Sequence, residues 1–328
     1  MLDATPTSTD QPSPARRSRL WFGAQIAITA IILWFVGLRL IELWKQFRGT
    51  ATEVHPRWEW IALSCAFVLL AFLVLIETWR RMVVQWGERL GFGDACAIWF
   101  VSALVRYVPM NVVVQLGAFA ELARRRQVSP AIAAGAAVIN TVVNLATGFV
   151  VALLAGWGAM NRLSHGNATL GVVVAVVLIV GLIALPSLMP WLLDVLRRAT
   201  GRPLAIGSLP RTAVYQSLVG NVVAWALYGL AFEAFVRGVT GDSRGTPVDY
   251  IAVWASSYVI GYLALALPAG VGVREIAQAD ALTMLGLVAT VGQGAVVAIT
   301  ARLWMTLLEI VPALLYLLRG TRGRHHAS

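Results

Sequence analysis

Charged side chains inside long apolar segments are the residues of this sequence best suited to chemistry. At a helix centre within a membrane, each such charge costs on the order of 2.5–3.5 kcal/mol on insertion scales unless it is paired or hydrated. A charge at that depth therefore marks a candidate structural or binding site. Away from loops and segment ends, these residues are Glu77, Arg106, Glu121, Glu233, Arg274, Glu275, Asp280, Arg302 and Glu309.

Two of these charges follow a break in an apolar segment. Pro268, Gly270 and Gly272 shortly precede Arg274 and Glu275, and proline and glycine at this spacing predict that a helix stops and starts again. The exposed amides at the start of the new half-helix favour an anion. We therefore expect them to hold the Glu275 carboxylate and to leave the Arg274 guanidinium to meet a phosphate.

Arg302, on the last apolar segment, is the expected partner of this site. Its guanidinium is suited to pair with Glu275 or with a lipid phosphate. The alternative is purely structural, with Glu275 and Arg302 paired to lock the break against the last helix. Asp280 lies about 140° further around the helix than Glu275, so the two carboxylates need not share a face.

A second break lies in the first half of the chain, at Pro109 and Asn111, with Arg106 just before it. The apolar arms on either side are short compared with the roughly 30 Å hydrocarbon core, so a re-entrant hairpin fits better than two crossings. Arg106 is either a second headgroup contact or a side chain that reaches the membrane interface. For Glu77 and Glu121 we expect ordinary ion pairs with arginines three or four residues further on.

A polar stripe at helical spacing lies on the segment after the first hairpin. Hydrogen bonds between helices explain such a stripe at least as often as a substrate path does. Its members are Asn140, Thr141, Asn144 and Thr147.

The composition identifies membrane helices as the elements that position these residues. Hydrophobic residues make up 59% of the chain and charged residues only 13%, with a mean hydropathy of +0.74, unlike a soluble domain. The net charge of +10 comes from basic residues between apolar segments, which indicates topology and anionic lipid headgroups instead of nucleic acid. The cysteines lie in apolar segments and the histidines in loops or the tail, so no metal site or disulfide is expected.

The apolar segments predict an all-α polytopic membrane bundle with about six full spans and two re-entrant helical hairpins. The expected spans are 20–40, 58–78, 130–157, 170–193, 212–235 and 288–318, and the expected hairpins are 94–123 and 250–285. One membrane domain, 20–318, then lies between a disordered tail, 1–19, and a basic tail, 319–328, both cytoplasmic by the positive-inside rule. The order span, hairpin, span occurs in 58–157 and again in 212–318 with reversed orientation, as in transporters with inverted repeats.

Catalytic signatures do not stand out. The sequence has no Gly-rich phosphate-binding loop with Lys and Ser/Thr, no HExxH and no GxSxG motif, and no soluble segment large enough for nucleotide binding. We therefore predict no catalytic residue and no cofactor, which favours a transporter over an enzyme and argues against an ATP-driven pump.

The break at Pro268, Gly270 and Gly272 resembles a motif of the flippase-like membrane domain of the lysylphosphatidylglycerol synthases. Members of that family usually show Pro-Gly-Gly-x-Gly-x-x-Glu, of which this chain keeps Pro268, Gly270, Gly272 and Glu275, followed at helical distance by Arg302. Ala269 replaces one glycine.

The break at Pro109 and Asn111 is similar to the family's Tyr-x-Pro-Gly-x-x-Gly segment in two positions, Tyr107 and Pro109, while Met110-Asn111 stands where the family has glycine. The resemblance covers 58–318 and implies translocation of a lipid. The family's best-known branch moves an aminoacylated phospholipid made by its own synthase domain. No such soluble domain is evident in this sequence, so aminoacyl transfer does not carry over.

These features together predict a lipid translocase of the cytoplasmic (inner) membrane, acting on an anionic phospholipid, a glycolipid or a polyprenyl-phosphate-linked lipid. Its expected partners are the lipid and a separate lipid-modifying enzyme or glycosyltransferase. Two alternatives stay open: an enzyme that uses Glu275 or Asp280 as a base, and a non-transporting scaffold for a lipid or glycan synthase. The predicted substrate-binding residues are Arg274, Glu275, Arg302, Arg106, Pro268, Gly270, Gly272, Pro109 and Asn111.

Overall fold

The computed structural model describes residues 56–104, 112–163, 211–263 and 272–325, together with isolated positions between 176 and 187. These residues form helices and a few short turns, with no strand among them, as the sequence predicts. In chain order the helices of this part of the chain are α1 Trp58–Gln85, α2 Phe92–Ala103, α3 Val112–Arg124, α4 Pro130–Leu163, α5 Arg211–Thr240, α6 Pro247–Leu263, α7 Val273–Met284 and α8 Val291–His325.

Four of the described helices, α1, α4, α5 and α8, are long and apolar enough to cross a membrane. They contain the predicted spans 58–78, 130–157 and 212–235 and nearly all of 288–318. The predicted span 20–40 and most of 170–193 lie outside the described residues. The chain is thus a multi-pass helical membrane protein, and the full number of spans stays a prediction.

Two pairs of shorter helices lie between long ones in the sequence, the first pair between α1 and α4 and the second pair between α5 and α8. Helices α2 and α3 have 12 and 13 residues, and α6 and α7 have 17 and 12 residues. At 1.5 Å per residue, these helices measure about 18–26 Å, which is less than the hydrocarbon core of a bilayer. The predicted tips of both hairpins, 105–111 and 264–271, lie outside the described residues, so the re-entrant geometry also stays a prediction.

Helices α1 and α5 pack side by side over much of their length. Glycines on α5 make this close approach possible, because a side chain at Gly220 would collide with Thr78, and a Cβ at Gly238 would lie 2.7 Å from Ile61 Cγ1. Small residues serve the same purpose at many interfaces between membrane helices.

An aromatic cluster fills the region where α5, α6 and α8 meet. Trp254 of α6 lies at its centre, with its ring centroid 5.2 Å from that of Phe232, 6.1 Å from that of Tyr228 and 6.3 Å from that of Trp304. Trp254 is almost completely buried. Helix α7 packs against both α6 and α8, so this cluster forms one wall of the region where the charged residues of α7 lie.

Candidate functional site

The first turn of α7 follows directly from the conformation of Gly272. Its φ of +89° lies in a region that glycine adopts without a Cβ penalty. The Gly272 amide donates to Oε2 of Glu275 over 2.5 Å, and its carbonyl accepts the first helical hydrogen bond, from the Ile276 amide, at 2.9 Å. The Glu275 carboxylate therefore folds back over the start of its own helix, as the sequence predicts.

Glu275 also joins α7 to α8. Its side chain is buried, with 6% of the residue exposed, and Oε1 lies 3.6 Å from Nε of Arg302. That distance is an ion-pair contact but is too long for a hydrogen bond. The predicted pairing of Glu275 with Arg302 is present, and it holds the start of α7 against the last long helix.

Arg274 points toward α6 and lies against aromatic rings. Only 7% of the residue is exposed, and its Cζ atom lies 4.5 Å from the Trp254 ring centroid and 5.0 Å from that of Tyr258. A guanidinium above a ring face is a cation–π contact, which strengthens when water is excluded. Because Trp254 and Tyr258 are four residues apart, they lie on one face of α6 and hold the cation together.

Gly261 lets the Arg274 side chain pass between the two helices. A Cβ atom at Gly261 would lie 2.7 Å from Cβ of Arg274 and 3.5 Å from its Cα, closer than packed carbon atoms normally come. Gly261 follows Tyr258 by one turn of α6. Three successive turns of α6 therefore shape the position of a single arginine.

The guanidinium of Arg274 has unused hydrogen-bonding capacity. An arginine side chain carries five N–H donors, yet no residue in the described part of the chain accepts a hydrogen bond from it or forms an ion pair with it. The faces of the two rings attract its charge but do not themselves provide an oxygen acceptor. This arrangement is suited to receive an oxyanion.

The remaining predicted residues of the charged site are placed differently. Asp280 is exposed, away from the face of α7 that buries Arg274 and Glu275, so the two carboxylates lie on different faces, which the sequence left open. Five predicted site residues lie outside the described residues, and their roles stay predictions: Arg106, Pro109, Asn111, Pro268 and Gly270.

Sequence reasoning missed the aromatic partners Trp254 and Tyr258, the close contact at Gly261, and Gln278. Gln278 is 2% exposed, and its Nε2 atom donates to no residue in the parts of the chain that the structure describes. A signal for Gln278 was available, because a residue four positions after Arg274 lies on the same helix face. For α6 the signal was weak, since nearly all of its residues are apolar.

A second buried polar cluster joins α1, α4 and α5. Oδ1 of Asn140 accepts from Ser217 Oγ at 3.0 Å, and from Thr78 Oγ1 and Asn221 Nδ2 at 3.3 Å each. The Asn144 amide nitrogen donates to Oδ1 of Asn221 over 2.7 Å. These contacts show that the two asparagines of the predicted polar stripe connect helices.

The two threonines of the stripe bond within their own helix. Thr141 Oγ1 donates to the Ala137 carbonyl at 2.8 Å, and Thr147 Oγ1 donates to the Val143 carbonyl at 2.7 Å. Such bonds satisfy a hydroxyl in an apolar surrounding without a partner helix.

Trp225 lies between the two polar clusters. Its indole nitrogen donates to the Asn144 carbonyl over 3.0 Å, and its ring centroid lies 5.2 Å from that of Tyr258. Gly148 of α4 makes room for this ring, since a Cβ there would lie 2.5 Å from Cζ2 of Trp225.

The carboxylates at helix ends form local pairs, as predicted. Glu77 accepts from Arg80 at 2.7 Å and from Arg81 at 2.8 Å. Glu121 likewise pairs with Arg124 at 2.9 Å. These pairs resemble ordinary interfacial salt bridges one turn apart.

The family described as the lysylphosphatidylglycerol synthase TM region has a model that matches residues 23–311 of the chain. The match includes both buried polar clusters and extends far beyond the short motif around Gly272. A comparison with curated proteins gave no match. On the family match, the chain belongs to the family of the lysylphosphatidylglycerol synthase transmembrane region.

Proposed function

We propose that this protein is a translocase that moves a lipid with an anionic headgroup across the membrane. The main support for the proposal is the guanidinium of Arg274, which is buried against the rings of Trp254 and Tyr258. It donates a hydrogen bond to none of the residues that the structure describes. Membership of a family linked by its name to lipid synthesis supports the choice of a lipid as substrate.

A phosphate headgroup supplies what the Arg274 side chain lacks. A buried charge is costly unless oxygen ligands or an opposite charge compensate it. The Glu275 carboxylate already accepts a hydrogen bond from the Gly272 amide and forms an ion pair with Arg302. A phosphodiester placed against Arg274 would accept two parallel hydrogen bonds from the planar guanidinium, and its acyl or isoprenoid tails would remain in the lipid phase.

The packing of the helices supports the predicted inverted repeat. Helices α1 to α4 and α5 to α8 have the same order of one long, two short and one long helix. Contacts in one set have counterparts in the other: α3 packs on α4 as α7 packs on α8, and α2 packs on α8 as α6 packs on α4. In transporters with inverted repeats, broken helices form the substrate-binding site near the membrane midplane.

The proposal places the protein in the cytoplasmic membrane. Both termini and the arginine-rich loops are assigned to the cytoplasm, because loops rich in arginine stay on that side of the membrane. It includes a membrane lipid as substrate and a separate lipid-modifying enzyme or glycosyltransferase as a partner that supplies or uses that lipid.

A reconstituted system tests the assignment. Proteoliposomes of phosphatidylcholine would contain a trace of fluorescent phosphatidylglycerol, and a membrane-impermeant quencher would report the rate at which the probe reaches the outer leaflet. We expect Arg274→Gln and Arg302→Gln to lower this rate at least tenfold, because each removes a cation from the headgroup site. Arg81→Gln, which changes an arginine paired locally with Glu77, is the matched control and should keep the parental rate.

The outcomes separate the proposal from its rivals. Equal rates for the parent and for a folded Arg274→Gln variant would contradict the site assignment. A parent that does not accelerate transfer would favour a scaffold role. The enzyme alternative requires Glu275 or Asp280 as a base, and Asp280 is exposed whereas Glu275 is buried. A modified lipid product, detected by mass spectrometry after incubation with a lipid extract, would favour that alternative.

A further inference from the structure

Resting on that proposed function, we propose that the buried face of α7 carries a second subsite, which binds a hydroxyl group of the lipid headgroup. Its two polar atoms are Oε1 of Glu275 and Nε2 of Gln278. The subsite adjoins the anion site at Arg274 and would select among lipids of equal charge.

Both atoms are buried and lack a hydrogen-bond partner in the described part of the chain. Glu275 is 6% exposed and Gln278 is 2% exposed. Buried polar atoms are satisfied in the great majority of cases, and an unsatisfied one requires an explanation. Two such atoms on neighbouring side chains indicate a ligand or a water molecule between them.

The spacing along α7 makes the side chains of Glu275 and Gln278 neighbours of one another and of Arg274. Residues three or four positions apart on a helix are neighbours on one face, with Cβ atoms about 5–6 Å apart. Gln278 follows Glu275 by three positions and Arg274 by four, and all three belong to the buried face of α7. A headgroup whose phosphate meets Arg274 therefore has its next atoms beside Glu275 and Gln278.

The chemistry of the two atoms selects the ligand class. The Glu275 carboxylate, paired with Arg302, only accepts hydrogen bonds, whereas the Gln278 amide nitrogen only donates them. An ammonium group would satisfy Glu275 and leave Gln278 without an acceptor. A second phosphate would accept from Gln278 but would be repelled by Glu275. A hydroxyl group donates to one and accepts from the other.

The separation of one helical turn between Arg274 and Gln278 suits a short polyol ester. One helical turn rises about 5.4 Å along the axis, which is about the reach of a hydroxyl carried two or three carbons from a phosphate ester. Water has the same donor and acceptor capacity as a hydroxyl. The test must therefore compare two lipids that differ only in the hydroxyl group.

Phosphatidylglycerol and phosphatidylethanol form such a pair, since both are phosphodiesters with one negative charge and only the first has headgroup hydroxyls. Affinities of the full chain for short-chain forms of both would be measured in detergent by titration with native mass spectrometry. We expect the parent to bind phosphatidylglycerol about tenfold more tightly, the ratio typical of one hydrogen bond to a charged group.

Variants assign the preference to Gln278. Gln278→Leu removes the amide at similar volume and should lower the affinity for phosphatidylglycerol about tenfold, with that for phosphatidylethanol unchanged. Gln216→Leu makes the same replacement at an exposed glutamine that bonds to Gln85, and it should keep the parental ratio. Arg274→Gln should weaken both lipids equally.

Each other outcome overturns the subsite. Equal affinities of the parent for both lipids would show that water, and not a lipid hydroxyl, forms hydrogen bonds with Glu275 Oε1 and Gln278 Nε2. A preference that survives in Gln278→Leu would place the discrimination elsewhere. Tighter binding of phosphatidylethanolamine would assign the subsite to an ammonium group. If the parent binds none of these lipids, the proposed function fails as well, which distinguishes that failure from the loss of the hydroxyl preference alone.

Discussion

The two buried polar clusters of the molecule differ in how completely their atoms are satisfied. In the cluster of α1, α4 and α5, one amide oxygen of Asn140 receives three donors from neighbouring helices, and Asn221 bonds to Asn144 as well. In the cluster of α6, α7 and α8, Glu275 and Gln278 each keep a buried atom without a hydrogen bond among the described residues, although that atom of Glu275 forms an ion pair with Arg302. The first cluster is neutral and the second is charged.

This difference indicates different roles. Neutral polar groups that satisfy one another inside a membrane protein hold helices together, at an average of roughly 0.6 kcal/mol per contact in membrane proteins. Charged groups with spare donors and acceptors contribute less to association, because each unsatisfied atom carries a desolvation penalty. A bound ligand removes that penalty. We therefore assign stability to the neutral cluster and lipid binding to the charged cluster.

The largest expected effect comes from removing the acceptor at the centre of the neutral cluster. Asn140→Leu would leave donors of Ser217, Thr78 and Asn221 without their shared oxygen. We expect the free energy of unfolding to fall by about 2 kcal/mol, because Thr78 still donates to the Leu75 carbonyl and Asn221 still donates to the Ser217 carbonyl. Denaturant titration in mixed micelles would measure this change. The lipid affinity of the folded fraction should stay unchanged.

Thr141→Val is the control for this prediction, because Thr141 lies on the same helix but bonds only to its own backbone. A small change there and a large one at Asn140 would confirm that the contacts between helices matter. Conversely, if Asn140→Leu weakens lipid binding while stability holds, the neutral cluster belongs to the substrate path.

An intermediate effect is expected where a glycine shapes each cluster. Gly261→Ala would push a methyl group against Arg274 and move it away from Trp254 and Tyr258. The affinity for phosphatidylglycerol should fall about tenfold, equivalent to about 1.4 kcal/mol. Native mass spectrometry, as above, measures this affinity.

Gly148→Ala provides the matched comparison, because it displaces the Trp225 ring beside the neutral cluster. It should lower stability by about 1–3 kcal/mol, as overpacking usually does, with lipid affinity within threefold of the parent. Equal losses of lipid affinity in the two variants would mean that the clusters act as one site, linked through Trp225.

The sequence predicts the contacts at the start of α7 better than it predicts how α6 packs against them. The start of α7 at Val273, the capping of Gly272 by Glu275 and the ion pair with Arg302 all follow from local rules on helix starts and membrane charges. The stacking of Arg274 on Trp254 and Tyr258 depends on how α6 is rotated against α7. Because α6 is apolar around nearly its whole circumference, no periodicity in its sequence indicates that rotation.

The four long helices could be predicted from the lengths of their apolar segments. Their uninterrupted apolar lengths are set by the thickness of the membrane, so the predicted spans begin within a few residues of the observed helices. The role of Arg106, Pro109 and Asn111 stays a prediction, since these residues lie outside the described part of the chain.

The smallest expected effect separates a charge that is paired locally from one that serves the site. Glu77 accepts from Arg80 and Arg81 within its own helix, and such pairs contribute up to about 1 kcal/mol where they are partly exposed. Glu77→Gln should therefore lower the free energy of unfolding by about 1 kcal/mol or less and leave phosphatidylglycerol binding unchanged. The same replacement at Glu275 removes the charge that faces Arg302 and should reduce binding of the hydroxyl-bearing lipid. Similar losses of lipid binding in both variants would instead mean that the net charge of the protein, and not the geometry around α7, governs the affinity.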